Sequence, residues 1–109
     1  MLAPPGGVDD ARRFYRDAVG LEEIDRPETM GGVGAWFRAG SQELHVSEHE
    51  PFTAAAKAHP AFETDELDAL AERLAAAGAE IRWDERLPGA RRFYSVDPAG
   101  NRLEFLSRT

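Results

Sequence analysis

The chain has 109 residues, no cysteine, three histidines, and 20 acidic against 13 basic side chains, a formal net charge of −7. That length holds one compact domain with a real core, and the missing thiols exclude a disulfide scaffold, a thiolate zinc site and cysteine catalysis. The charge disfavours nucleic acid as a partner. No run approaches the roughly 20 apolar residues of a membrane span, and the N-terminus lacks a secretory pattern. The expectation is a soluble, cytoplasmic protein with no membrane partner.

In chain order, residues 1–3 are a short candidate strand ahead of a Pro-Pro-Gly-Gly turn. Ala11, Phe14, Tyr15, Ala18 and Val19 recur at helical spacing and predict an amphipathic helix over 9–19. Asp9 is its expected N-cap, and Gly20 stands where a helix end favours the left-handed conformation. Strands follow over 21–25, 34–38 and 42–47, rich in branched or aromatic residues and bounded by turn formers. Residues 48–58, with Pro51 and an alanine-rich run, are the expected linker. A strand over 59–63 then leads into a second helix over 65–77, striped by Leu67, Leu70, Ala71, Leu74 and Ala77, capped by Thr64 and closed by Gly78. Strands over 80–84, 91–96 and 102–106 complete the chain.

The order repeats. Gly-Leu-Glu-Glu-Ile-Asp after the first helix parallels Gly-Ala-Glu-Ile-Arg-Trp-Asp after the second. Ala35-Trp36-Phe37-Arg38 parallels Arg92-Phe93-Tyr94-Ser95, and Gln42-Glu43-Leu44-His45 parallels Asn101-Arg102-Leu103-Glu104. The fold class is therefore α+β: two βαβββ modules, 1–47 and 59–109, curling into one cupped mixed sheet around a cavity. Within a single domain over 1–109, side chains at equivalent strand positions converge on that cavity.

His45 and Glu104 hold equivalent positions on the last strand of each module, and His59 opens the second. The offset between the two helix ends carries His59 back to residue 1. Two imidazoles and one carboxylate suit a divalent ion such as Zn, Ni, Co, Mn or Fe(II), with an open position for substrate oxygens. His49, between two glutamates before a proline, is expected to be a loop residue. Asp97-Pro98-Ala99-Gly100-Asn101 has the composition of a turn between strands. Trp36, Phe37, Phe93 and Tyr94 read as core, but alternation sends one of each pair to the other face, so Trp36 or Tyr94 can line the cavity. Arg91 or Arg92 can meet an anionic group of a substrate, or be solvated strand ends. There is no Gly-rich phosphate loop, no nucleophile elbow and no His-Glu-x-x-His pair.

Gln-Glu-Leu-His45-Val, Ala58-His59-Pro60-Ala61-Phe62 and above all Asp97-Pro98-Ala99-Gly100-Asn101-Arg102-Leu103-Glu104-Phe105 resemble the vicinal oxygen chelate superfamily of glyoxalases, bleomycin-resistance proteins and extradiol dioxygenases. Phe14-Tyr15-Arg16-Asp17-Ala18-Val19-Gly20-Leu21 resembles its first-helix signature. The resemblance implies a homodimer. It also implies a metal-dependent lyase, isomerase or dioxygenase acting on a small molecule with vicinal oxygens. His45, His59 and Glu104 would be metal ligands, and Glu104 would also shuttle a proton; Trp36, Arg92 and Tyr94 are the substrate contacts expected from strand alternation and charge. The family's first-strand ligand has no match, so it is expected upstream of Met1 or lost. Its loss motivates the alternative of a metal-free, bleomycin-resistance-like small-molecule binder.

Overall fold

The computed structural model describes residues 1–108; Thr109, the last residue of the second expected module, lies outside them. The first half runs β1 (Leu2–Ala3), α1 (Val8–Arg12), a continuous π-wound stretch (Arg13–Val19), β2 (Glu22–Ile24), a 3-10 turn (Glu28–Met30), β3 (Gly34–Ala39) and β4 (Gln42–Glu48). The second runs β5 (Ala61–Glu63), α2 (Leu67–Ala76), β6 (Arg82–Asp84), β7 (Ala90–Val96) and β8 (Arg102–Arg108). The strands form two mixed sheets with the same order, β1-β4-β3-β2 and β5-β8-β7-β6. In each, the short first strand runs parallel to the last, and the other pairs are antiparallel. No helix among the described residues is long and apolar enough to cross a membrane.

Strand alternation decides which side chains enter the core. Ala35 and Phe37 of β3, Val46 of β4, Phe93 of β7, and Leu103 and Phe105 of β8 are buried in one cluster with residues of both helices. Helix α1 packs on β3 and β4, α2 packs on β8, and the π-wound stretch packs on α2. The helices therefore lie back to back inside a shared core. Burying each large apolar side chain is worth roughly 1.5–3 kcal/mol, so that core carries most of the stability. Among the described residues, no helix lies over the opposite face of each sheet. It holds the intervening residues: Trp36 and His45 on the first sheet, Arg92, Tyr94, Arg102 and Glu104 on the second.

The first helix departs from its expected form. It starts at Val8, and its N-terminus is capped from the far end of β4, not by Asp9. The Gly6 and Val8 amides donate to the two carboxylate oxygens of Glu48 at 2.9 and 3.2 Å, a favourable place for negative charge. At the other end, Arg73 of α2 donates to the carbonyls of Ala18 and Val19 at 3.3 and 3.2 Å. The Leu21 amide reaches back to the Tyr15 carbonyl at 2.9 Å. Gly20 takes φ 93° there, a conformation that costs a side-chain-bearing residue energy. The second helix begins at Leu67, two residues later than expected. Thr64 forms a turn with the Glu66 amide (3.1 Å) just ahead of it and does not cap the helix.

A buried hydrogen bond ties the halves together. Tyr15, fully buried, donates to Asp97 Oδ2 at 2.7 Å. The same carboxylate accepts the amides of Ala99 and Asn101 at 2.9 Å and the Asn101 side-chain amide at 3.0 Å. The turn segment thus locks onto the first helix. Burial first, then the adjacent Asp97 charge, pushes the Tyr15 hydroxyl well above its ordinary value. Above about pH 10 an unfolded chain ionises this tyrosine while the folded chain resists, so stability falls as pH rises through that range. Replacing Tyr15→Phe is expected to cost about 1–2 kcal/mol in denaturant unfolding at neutral pH. The same variant should lose less stability than the wild type between neutral and strongly alkaline pH. Equal alkaline loss in both proteins would show that Tyr15 is not the group responsible.

Candidate functional site

The helix-free face of the second sheet assembles around one aromatic ring. Tyr94 sits centrally on β7, in register with Glu104 on β8 and Arg82 on β6. The His59 ring meets it edge-on at 5.5 Å, and the guanidinium groups of Arg92 and Arg102 lie 5.2 and 4.3 Å from its centre. His59 precedes β5 and does not open it. The Glu104 amide donates to the Pro60 carbonyl at 3.1 Å, which brings the residue before Pro60 alongside the Glu104 side chain.

His59 and Glu104 meet directly. Nε2 of His59 is 2.9 Å from Glu104 Oε1, while Arg92 donates to Oε2 at 3.2 Å. The imidazole is fixed from behind, since its Nδ1 lies 2.7 Å from the Lys57 carbonyl. A carbonyl only accepts, so that nitrogen carries a proton and Nε2 is the atom presented to the face. Arg92 is also held by Asp84 Oδ1, at 3.1 and 3.2 Å. The buried Glu104 carboxyl would rise on desolvation alone, but the hydrogen bonds from His59 and Arg92 outweigh this and hold it below its ordinary value. Asp84 is lowered further, to about 2, chiefly by its hydrogen bonds with Arg86.

The other expected site residues lie on the first sheet. His45 is exposed on β4, its Nε2 2.9 Å from Glu43 Oε1, and its ring stacks on Trp36 at 3.8 Å with the planes 3° apart. Trp36 and His45 are register partners across β3 and β4, which explains the stack. His49 turns its Nδ1 to the Pro51 carbonyl at 2.9 Å in the loop after β4. Within one chain the structure thus joins His59, Glu104, Arg92 and Tyr94 on one face, and Trp36 with His45 on another. A groove of about 530 Å³ runs between the β3–β4 turn and β5, lined by Leu44, Phe62, Leu70 and Arg73 among others, and none of these expected site residues lines it.

For a metal ion, the second sheet supplies an imidazole anchored through its other nitrogen, whose Nε2 would first have to release the proton it donates to Glu104, and an adjacent oriented carboxylate. Among the described residues no third histidine or carboxylate joins them into a group able to hold an ion. One chain therefore fits a metal only in part. Two residues of the constellation were absent from the expected set. Arg102 shares its strand face with Glu104 by simple alternation, and Asp84 is the register partner of Arg92. Two-residue spacing marks the first in the sequence; the second depends on strand pairing.

The family model described as the Glyoxalase/Bleomycin resistance protein/Dioxygenase superfamily matches residues 2–105. A manganese-dependent 2,3-dihydroxybiphenyl 1,2-dioxygenase from Geobacillus genomosp. 3 is 37% identical over 75 residues, covering 66% of the chain but only 23% of that enzyme. The chain thus spans about a quarter of the curated relative it matches. A glyoxalase family protein from Bacillus anthracis is 39% identical, with TM-score 0.94 over 100% of this chain and 90% of that one. A lactoylglutathione lyase from Agrobacterium tumefaciens is 27% identical, with TM-score 0.74 over 98% of this chain and 88% of that one. The fosfomycin resistance protein FosX from Listeria monocytogenes, in complex with Mn(II) and a dihydroxypropylphosphonic acid, shares the fold at 20% identity, with TM-score 0.81 over 100% of this chain and 88% of that one.

The hydrogen-bonding pattern around Glu104 has a measurable consequence. Removing the Arg92 guanidinium in Arg92→Ala should move the Glu104 carboxyl titration upward, as followed by carbon NMR of the side-chain carboxyl against pH. An unmoved titration would contradict the role given to Arg92 in orienting and charging that carboxylate.

Proposed function

Because the chain belongs to the Glyoxalase/Bleomycin resistance protein/Dioxygenase superfamily, we propose that it is a divalent-metal enzyme acting on a small molecule with two adjacent oxygens. His59 and Glu104 supply two metal ligands, and the His45-bearing face of a second copy of the chain supplies the third. The observation that carries the reading is the contact of His59 Nε2 with Glu104 Oε1 at 2.9 Å on a face with no helix over it. Manganese in the names of a curated relative and of a FosX complex supports a divalent ion of this kind.

A divalent ion at these donors supplies Lewis-acid polarisation of substrate oxygens. The chain's own residues do the rest. The Lys57 carbonyl accepts from His59 Nδ1, which leaves Nε2, now donating to Glu104 Oε1, as the nitrogen that would turn to an ion on giving up its proton. Arg92 holds the other Glu104 oxygen. Glu104 also serves as the group that takes and returns a proton. Tyr94 and, from the second copy, the stacked Trp36 present aromatic walls to the substrate. Arg92 acts mainly on Glu104, since its donors already engage Asp84 and Glu104.

A second reading is a metal-free small-molecule binding protein. It is favoured by the engagement of both Glu104 oxygens within the chain, one by His59 and one by Arg92. Calorimetric titration with Mn²⁺ separates the two. The enzyme reading expects about one ion per chain and a loss of at least about tenfold in affinity in His59→Ala and in Glu104→Gln. Absence of specific binding to the wild type, with small-molecule affinity unaffected by chelators, would replace it with the binding-protein reading.

A further inference from the structure

The charges on the helix-free face of the second sheet pair off, except one. Arg82 lies 3.5 Å from Glu80, Arg86 bridges to Asp84, and Arg92 bridges to both Asp84 and Glu104. The Arg102 side chain has no hydrogen bond or ion pair among the described residues. Its contact is with the Tyr94 ring, 4.3 Å from guanidinium carbon to ring centre. In a chain with a net charge of −7, a half-buried cation beside a site and without a counter-ion is conspicuous.

We propose that Arg102 is the anion-recognition residue of this face and that the small molecule bound there carries a carboxylate. The chemistry of the contact supports this. A guanidinium held over an aromatic ring is bound through its charge and not through its N–H groups, so its five donors remain available to a ligand. One such group matches one planar, singly charged carboxylate through paired hydrogen bonds. The ring also restricts the arginine's rotamers before any ligand arrives, so less entropy is lost on binding. Arg102 stands two residues from Glu104 on the same strand face, a separation of roughly 7 Å. A carboxylate on Arg102 therefore leaves the neighbouring part of the same small molecule at the His59–Glu104 pair. Tyr94, in contact with both His59 and Arg102, forms the floor between them.

This inference rests on the proposed use of the His59–Glu104 face as the binding site, and the experiment separates the two. Catechol and 3,4-dihydroxybenzoate share adjacent oxygens and differ by one carboxylate. Binding of each to the purified protein as isolated is measured by calorimetry for the wild type, Arg102→Gln, Arg102→Lys and Glu104→Gln, with circular dichroism confirming each fold. The wild type should prefer the carboxylate-bearing probe by about tenfold. Arg102→Gln should abolish that preference while leaving catechol affinity within about twofold, and Arg102→Lys should retain part of it. Glu104→Gln should weaken both probes together. A wild type without the preference, or an Arg102→Gln protein that keeps it, overturns the assignment of Arg102 alone. Equal binding of both probes by wild type and Glu104→Gln overturns the site itself, as does failure of the wild type to bind either.

Discussion

The buried contact between Tyr15 and Asp97 is the constraint on which the rest of the molecule depends. It joins the first helix to the turn entering β8, and with Arg73 on the end of that helix it sets the two helices back to back. Once both helices share one core, each sheet has one face committed to that core. The other face is left to polar and aromatic residues. The site therefore arises from what the core does not cover. Arg92, Tyr94, Arg102 and Glu104 reach that face by falling on alternate strand positions. His59 is brought to it by the segment ahead of β5, through the Pro60 carbonyl that accepts the Glu104 amide.

On the second sheet, that face is a balanced network with one surplus charge. Asp84, Arg92, Glu104 and His59 form a chain of hydrogen-bonded acids and bases that fixes the Glu104 carboxylate from both sides. Fixing a buried carboxylate in this way keeps it ionised and oriented, which is the state a metal ligand needs and which is costly without partners. Tyr94 packs against His59, Arg92 and Arg102 and lies between the acid–base pair and Arg102. The first sheet contributes a different surface, the Trp36–His45 stack, which is aromatic and exposed. The two surfaces are complementary in chemistry, and in one chain they belong to separate sheets.

Much of this was legible in the sequence. Apolar alternation located the strands, the internal repeat identified two copies of one strand order, and the Asp-Pro-Ala-Gly-Asn run identified a turn that the structure fixes through Asp97. The resemblance named the superfamily correctly. What escaped was set by contacts between distant segments. Asp9 has a capping side chain, but Glu48 reaches the helix N-terminus from β4 and takes that role. The π-winding of residues 13–19 goes with carbonyls that Arg73 satisfies from the other helix, which no local pattern encodes. Repeat equivalence put His45 and Glu104 on matching strands but did not reveal that the helices stand between their sheets. Arg102 was hidden in plain view within a motif read only for its turn and its glutamate.

The central claim is that the His59–Glu104 face of one chain is completed by the His45 face of another. Mixing His45→Ala and Glu104→Gln chains, each defective alone, and refolding them together tests it directly. In a random mixture of dimers, about a quarter of the sites pair an intact Glu104 with an intact His45 from the other chain. The account predicts that Mn²⁺ binding returns in the mixture to about that fraction of the wild-type level. Binding no greater than that of the two variants measured apart would contradict it.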